Sequence, residues 1–113
     1  MNRQEKTIQK RRVAVFKALA HPSRLYIVMR LSESEACVGY LTKEIGADVS
    51  TVSKHLAVLR DAGLVADRRD GQNIVYSLAC DCILDFMHCV DAVNPPEVRG
   101  SRRGAACSIT RDK

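Results

Sequence analysis

No apolar run in this 113-residue chain approaches the roughly 20 residues that a membrane helix needs, so no membrane partner is expected. The opening stretch MNRQEKTIQKRR has no apolar segment behind its basic residues, so it does not read as a secretory signal, and a cytoplasmic location is expected. Five cysteines are present, an odd number, and without an export signal they argue against a disulfide framework. Their thiols are then available to bind metals or to react. There is no Cys-x-x-Cys on a βαβ pattern, no phosphate-cradling loop and no nucleophile with a base at recognisable spacing, which argues against an enzyme. No internal repeat is visible.

What is present is a chain long enough for one domain with a modest core, to which pairing with a second copy would add burial. Apolar residues make up 46% and charged residues 27%, a globular composition. The net charge of +5 is concentrated at the two ends. Residues 1–12 carry five basic residues against one acidic, and residues 95–113 five against two, whereas residues 13–94 are net acidic. Basic ends alone are a weak pointer to a polyanion. The central region has to argue from where its charges stand.

Residues 8–20 place Ile8, Arg12, Val15, Phe16 and Leu19 near helical spacing, and His21-Pro22 breaks that helix. Pro22 and Ser23 open a second helix, proline being tolerated in a first turn. Ser32 to Ala36 reads as a polar turn. Residues 37–46 form a short third helix closed by Gly46, and residues 50–62 a fourth. In the fourth helix Val52, Leu56, Leu59 and Ala62 make one continuous stripe. Asp48 or Ser50 suits its cap, and Gly63 suits the left-handed position just past its end. The period then changes. LVADRR and NIVYSL flank the polar tetrapeptide Asp70-Gly71-Gln72-Asn73, a hairpin signal. A last helix follows over residues 81–93 and stops at Asn94-Pro95-Pro96. The expected organisation is a basic N-terminal arm at 1–7, a folded domain at 8–93 and a flexible basic tail at 94–113.

Two short helices, a three-residue link and a hairpin behind them make a mainly α fold with a small β-hairpin wing, a winged helix-turn-helix. If the stripe of the fourth helix is buried, Ser50, Thr51, Ser53, Lys54, His55 and Arg60 lie outside or at its flanks. Hydroxyls near a helix N-terminus reach base edges in a major groove, while Lys and Arg hold phosphates. The hairpin adds Arg68, Arg69, Gln72 and Asn73, a polar finger suited to the backbone or the minor groove. The expected partner is double-stranded operator DNA. The competing reading is a helical hairpin with a solvated polar face, which the order helix, helix, hairpin disfavours.

The runs FKALAHPSRLYIVMRL, YLTKEIGADVSTVSKHLAVLRDAGLV and RRDGQNIVYSL resemble the ArsR/SmtB family of bacterial metal-responsive repressors, over about residues 8–93. The resemblance implies a homodimer paired through its first and last helices, recognition helices in successive major grooves, and release of DNA when an inducer binds. By matching positions it gives Ser50, Thr51, Ser53, Lys54 and His55 the recognition role and Arg68, Arg69 and Gln72 the wing role. Val49 departs from the glutamine that many members carry there, so any base contact of that glutamine is absent.

The family senses through alternative sites. The Cys-Val-Cys of its best-known arsenical sensors is here Cys37-Val38-Gly39, which lacks the second thiol; Cys37 reads as a buried helix-start residue, otherwise as an outlying ligand or redox partner. The Asp-x-His pair of the zinc sensors is replaced by Cys80 and Cys82, and soft thiolates select soft ions. His88 reads as an exposed helix residue rather than a ligand. Trivalent arsenic or antimony fits Cys80, Cys82 and Cys89 by count, and the resemblance extends to arsenical repressors with cysteines on this last helix. Cys82 and Cys89 are seven residues apart, about 10.5 Å along a straight helix. Sulfurs on one ion lie within roughly 4 Å of each other, given metal–sulfur bonds of about 2.3 Å. Either the first turn folds back, or Cys89 comes from a second copy. Other readings of the thiols are packing under a dimer interface, a disulfide or persulfide switch, or a soft divalent site for Cd, Zn or Pb. Cys107 lies in the tail, with no role expected.

Overall fold

The computed structural model describes residues 1–93 and Pro95. Among them are five helices and one three-stranded antiparallel sheet: α1 (Arg3–Leu19), α2 (Pro22–Leu31), β1 (Ala36–Cys37), α3 (Val38–Ile45), α4 (Val49–Asp61), β2 (Val65–Asp70), β3 (Asn73–Leu78) and α5 (Ile83–Val93). The chain divides after Cys80 into two compact units.

In the first unit, α2, α3 and α4 supply the inner residues Ile27, Val28, Leu31, Leu41, Val52, Leu56 and Leu59, all buried, with Ala18 and Leu19 from the end of α1. Local caps set the bounds of α2 and α4. The His21 ring nitrogen Nδ1 accepts from the Ser23 amide at 3.1 Å, capping α2 just before Pro22. Asp48 accepts from the Thr51 amide at 3.0 Å and caps α4. Past the end of α4, Gly63 adopts φ +84°, and the amides of Gly63 and Leu64 donate to the carbonyls of Arg60 and Leu59, both at 2.9 Å. That paired closure needs a left-handed residue, which glycine adopts without a Cβ clash. It turns the chain so that Leu64 and Val65 enter the core at the start of the wing.

The sheet order is β1-β3-β2. In the wing, Val65 pairs with Leu78 and Asp70 with Asn73, leaving a two-residue loop, Gly71-Gln72. Gly71 has φ +67° while Gln72 does not have a positive φ. That is the type II′ pattern, whose twist matches that of the flanking strands. β1 is an addition to the expected architecture. Ala36 pairs with Tyr76 and Cys37 with Val75, so the end of the segment read as a turn closes the inner edge of the wing.

Two boundaries are corrected. α1 begins at Arg3, not at residue 8, so the expected arm at 1–7 is largely helical. Asn2 and Glu5 form a reciprocal capping box, the Asn2 side chain accepting from the Glu5 amide at 2.8 Å and Glu5 accepting from the Asn2 amide at 2.9 Å. In the second unit α5 begins at Ile83 rather than 81. The Phe86 amide donates to the Cys82 carbonyl at 3.1 Å, so Cys82 stands at the helix start and residues 81 and 82 form a turn before it. The expected tail at 94–113, with Cys107, lies outside the described residues except for Pro95. No helix among the described residues is long and apolar enough to cross a membrane.

Candidate nucleic-acid interface

The apolar stripe of α4 does what its spacing requires. Val52, Leu56 and Leu59 are each 0% exposed, which fixes the opposite side of the helix outward. Ser50, Thr51, Ser53 and Lys54 are exposed around the first turn and a half. The first turn holds no acidic side chain, so its unpaired amides and the nearby Lys54 are offset only by the cap residue, Asp48. Asp48 lies just outside it, and hydrogen bonds from Thr51 hold its carboxyl below the usual carboxylate range. The cap therefore stays ionised beside the exposed Ser50 and Ser53.

His55 sits differently from its neighbours. It is half-buried and turned toward α2. Its ring lies 4.4 Å from that of His21, centroid to centroid, and its Nδ1 is 3.3 Å from Nη1 of Arg24. Burial, followed by the neighbouring His21 and Arg24, lowers its pKa below that of an ordinary histidine.

The cations of the wing are unequal. Arg60, at the end of α4, pairs with Asp67 on β2 at 3.2 Å. Arg68 pairs with Glu35, which stands just before β1. Arg69 and Gln72 are exposed near the tip, and no ion pair of Arg69 occurs among the described residues. Of the cations that the sequence assigns to DNA, Lys54 and Arg69 thus stand open, while Arg60 and Arg68 are held by acids. Arg24, Glu35 and Asp67 were absent from the expected set. The local pattern could have flagged only Asp67, which shares the face of the strand that begins with the buried Val65.

The cysteines divide by element. Cys37 is half-buried at the start of α3, with no capping bond from its side chain. Cys80 is half-buried, Cys82 is exposed at the turn before α5, and Cys89 is half-buried on α5, seven residues further on. His88 is exposed. Among the described residues of a single chain, no three His, Cys, Asp or Glu side chains are grouped to hold a metal ion. Cys82 precedes Ile83, the first residue of α5, and Cys89 is the seventh residue of that helix.

Comparison with known proteins adds an independent line. The sequence profile described as "Bacterial regulatory protein, arsR family" matches residues 21–67, the span from the cap of α2 into β2. The uncharacterized HTH-type transcriptional regulator Rv0081 of Mycobacterium tuberculosis (strain ATCC 25618 / H37Rv) is 41% identical over 81 residues, 71% of either chain. Among solved structures, the homodimeric winged helix-turn-helix DNA-binding domain of Mb0332 from Mycobacterium bovis superposes with a TM-score of 0.76 at 27% identity, over 91% of this chain and 97% of that one. Reduced HlyU from Vibrio cholerae N16961 gives a TM-score of 0.68 at 29% identity, over 79% and 97%.

Proposed function

From the premise that this chain belongs to the ArsR family of DNA-binding transcriptional regulators, we propose that it is a homodimeric repressor. It releases its operator when trivalent arsenic or antimony is taken by Cys80, Cys82 and Cys89. The reading sets α4 in the major groove, with Ser50, Thr51 and Ser53 toward base edges and Lys54 toward phosphate, and the wing with Arg69 and Gln72 along the backbone.

The observation that carries the inducer assignment is that two of the thiols precede the first helical residue, Ile83, and one of these, Cys82, is exposed. Moving the turn costs at most the one bond that the Phe86 amide donates to the Cys82 carbonyl, whereas Cys89 is fixed within α5. Arsenous acid carries three hydroxyls. Each leaves as water when an As–S bond forms with a thiol proton, so the exchange needs no oxidant. Because Cys89 lies about two turns along α5, the exchange either draws the turn along the helix or recruits Cys89 of a second copy. Both couple inducer to pairing, and through pairing to the spacing of two recognition helices. Pairing is supported by the exposed apolar residues Ile8 and Val13 on α1 and Val90 and Val93 on α5, and by the homodimeric state of Mb0332.

The test titrates the reduced protein on a labelled duplex from upstream of its own gene with arsenite, antimonite, cadmium and zinc in parallel. Wild type lets go with arsenite or antimonite. Cys80→Ser, Cys82→Ser and Cys89→Ser each bind the duplex and stay bound. If all three variants still respond to arsenite, the site is wrong. A response to cadmium or zinc alone moves the assignment to a soft divalent ion. A thiol switch is the second reading, favoured by the exposed Cys82 and by the likeness to a protein whose reduced form was solved. Peroxide or sulfide would then release DNA without metalloid, and mass spectrometry would find the bridged cysteines.

A further inference from the structure

Arg24 stands at the unfavourable end of its own helix. It is the third residue of α2, where unpaired amides carry partial positive charge and a cation is disfavoured, and the first turn has no acid to offset it. Its guanidinium serves two other helices instead. Nε donates to the Ala18 carbonyl at 2.7 Å and Nη2 to the Lys17 carbonyl at 3.4 Å, both in the last turn of α1, where the helix end is partially negative. Nη1 faces His55 Nδ1 on α4 at 3.3 Å. A guanidinium has only donors and keeps its protons. Nδ1 of His55 is therefore the acceptor, and the imidazole is neutral with its proton on Nε2. The groups facing His55 are Arg24 and His21 from α2, and behind Arg24 the carbonyls of α1. His21 spends its own Nδ1 on the Ser23 amide. Neither charged or titratable neighbour is an acid, so nothing on this side favours a protonated His55.

We propose that Arg24 is a positioning residue for DNA recognition, a three-pronged clasp that fixes the rotation of α4 by holding neutral His55 to the end of α1. His55 is one turn from Thr51, so a rotation about the α4 axis at His55 reappears at Ser50, Thr51, Ser53 and Lys54. The planar fork of arginine matches three acceptors on two elements at once. A lysine ammonium in its place reaches one of them at a time.

The experiment compares wild type with Arg24→Lys on the labelled upstream duplex, by anisotropy across a salt series, with circular dichroism to score folding. The expected result is a folded variant with about tenfold weaker binding and an unchanged slope of log K against log salt, since no phosphate contact is lost. In Arg24→Gln, which removes the charge, a slope reduced by about 0.9 makes Arg24 a phosphate contact instead and overturns the proposal. So does unchanged affinity with only a lower melting temperature, which is a purely structural role. A second measurement works on wild type and does not depend on the variant folding. Protonated His55 loses its acceptor, so affinity falls as pH drops through the lowered pKa of His55, below the ordinary histidine range. In His55→Asn, which keeps an acceptor near Nδ1 but does not titrate, the fall is absent. Affinity that rises with acid and is flattened by His55→Asn means that His55 meets phosphate as a cation, and the clasp is wrong.

Discussion

Arg60 Nη1 lies 3.2 Å from Asp67 Oδ2, and this one pair ties the end of α4 to the outer strand of the wing. The two side chains are 45% and 33% exposed, so the pair contributes on the order of 0.2–1 kcal/mol to stability. Its larger effect is on which cations are open to DNA. Asp67→Asn removes the acid and releases Arg60. The salt slope of binding then steepens by about 0.9 if Arg60 reaches a phosphate, while the urea midpoint barely moves. An unchanged slope would leave Arg60 a structural residue.

The neighbouring arginines of the wing separate in the same way. Arg68 is engaged by Glu35, whereas Arg69 is exposed without an ion pair among the described residues. Arg69→Ala is expected to weaken binding to specific and nonspecific duplexes alike and to lower the salt slope by about 0.9. Arg68→Ala changes the slope less, because its charge is already largely offset. Equal losses in the two variants would show that Glu35 gives way when DNA arrives.

What the sequence disclosed and what it withheld follow from the range of the interaction. Val52, Leu56 and Leu59 announce the buried side of α4 through helical spacing, and Asp70-Gly71 announces the wing turn, since both are local patterns. Gly63 closes α4 in the left-handed conformation that its position suggested. β1 was invisible because two residues have no period of their own; Ala36 and Cys37 become a strand only by pairing with Tyr76 and Val75, some 40 residues on. The start of α1 was legible but overlooked, since apolar spacing begins at Ile8 while the Asn2–Glu5 capping box lies earlier. The inward turn of His55 depends on Arg24 and His21, about 30 residues away. A helical wheel places His55 at a flank and says nothing of what the flank meets. The ligand set at Cys80, Cys82 and Cys89 remains a reading of chemistry and count.

His55 also makes stability depend on pH. Its pKa is lowered in the folded chain, by burial first and then by His21 and Arg24. The unfolded chain therefore binds more protons as pH falls through the ordinary histidine value of about 6.5. Stability is full above that value and declines below it, levelling off only under the folded pKa. Urea midpoints taken from pH 7.5 down to about 5.5 should fall in wild type and fall less in His55→Asn. A wild-type midpoint that holds steady through this range would contradict the half-buried, neutral imidazole.

Leu56 and Ser53 stand one turn apart on α4 and should fail in opposite ways. Leu56 is 0% exposed, and its truncation to alanine removes buried methyl groups and leaves a cavity, at about 2–5 kcal/mol. A domain of this size holds roughly 5–15 kcal/mol in all, so Leu56→Ala should lose much of its folded population on mild heating and bind DNA only at low temperature. Ser53 is exposed, so Ser53→Ala should unfold within about 0.5 kcal/mol of wild type. Its deficit should appear only as a smaller preference for the upstream duplex over random DNA, with the salt slope unchanged, because a base contact carries sequence information and a phosphate contact does not. Circular dichroism melts beside competition binding separate the two. A Ser53→Ala protein with full sequence preference would move the reading of bases to Ser50 and Thr51, one turn nearer the helix start.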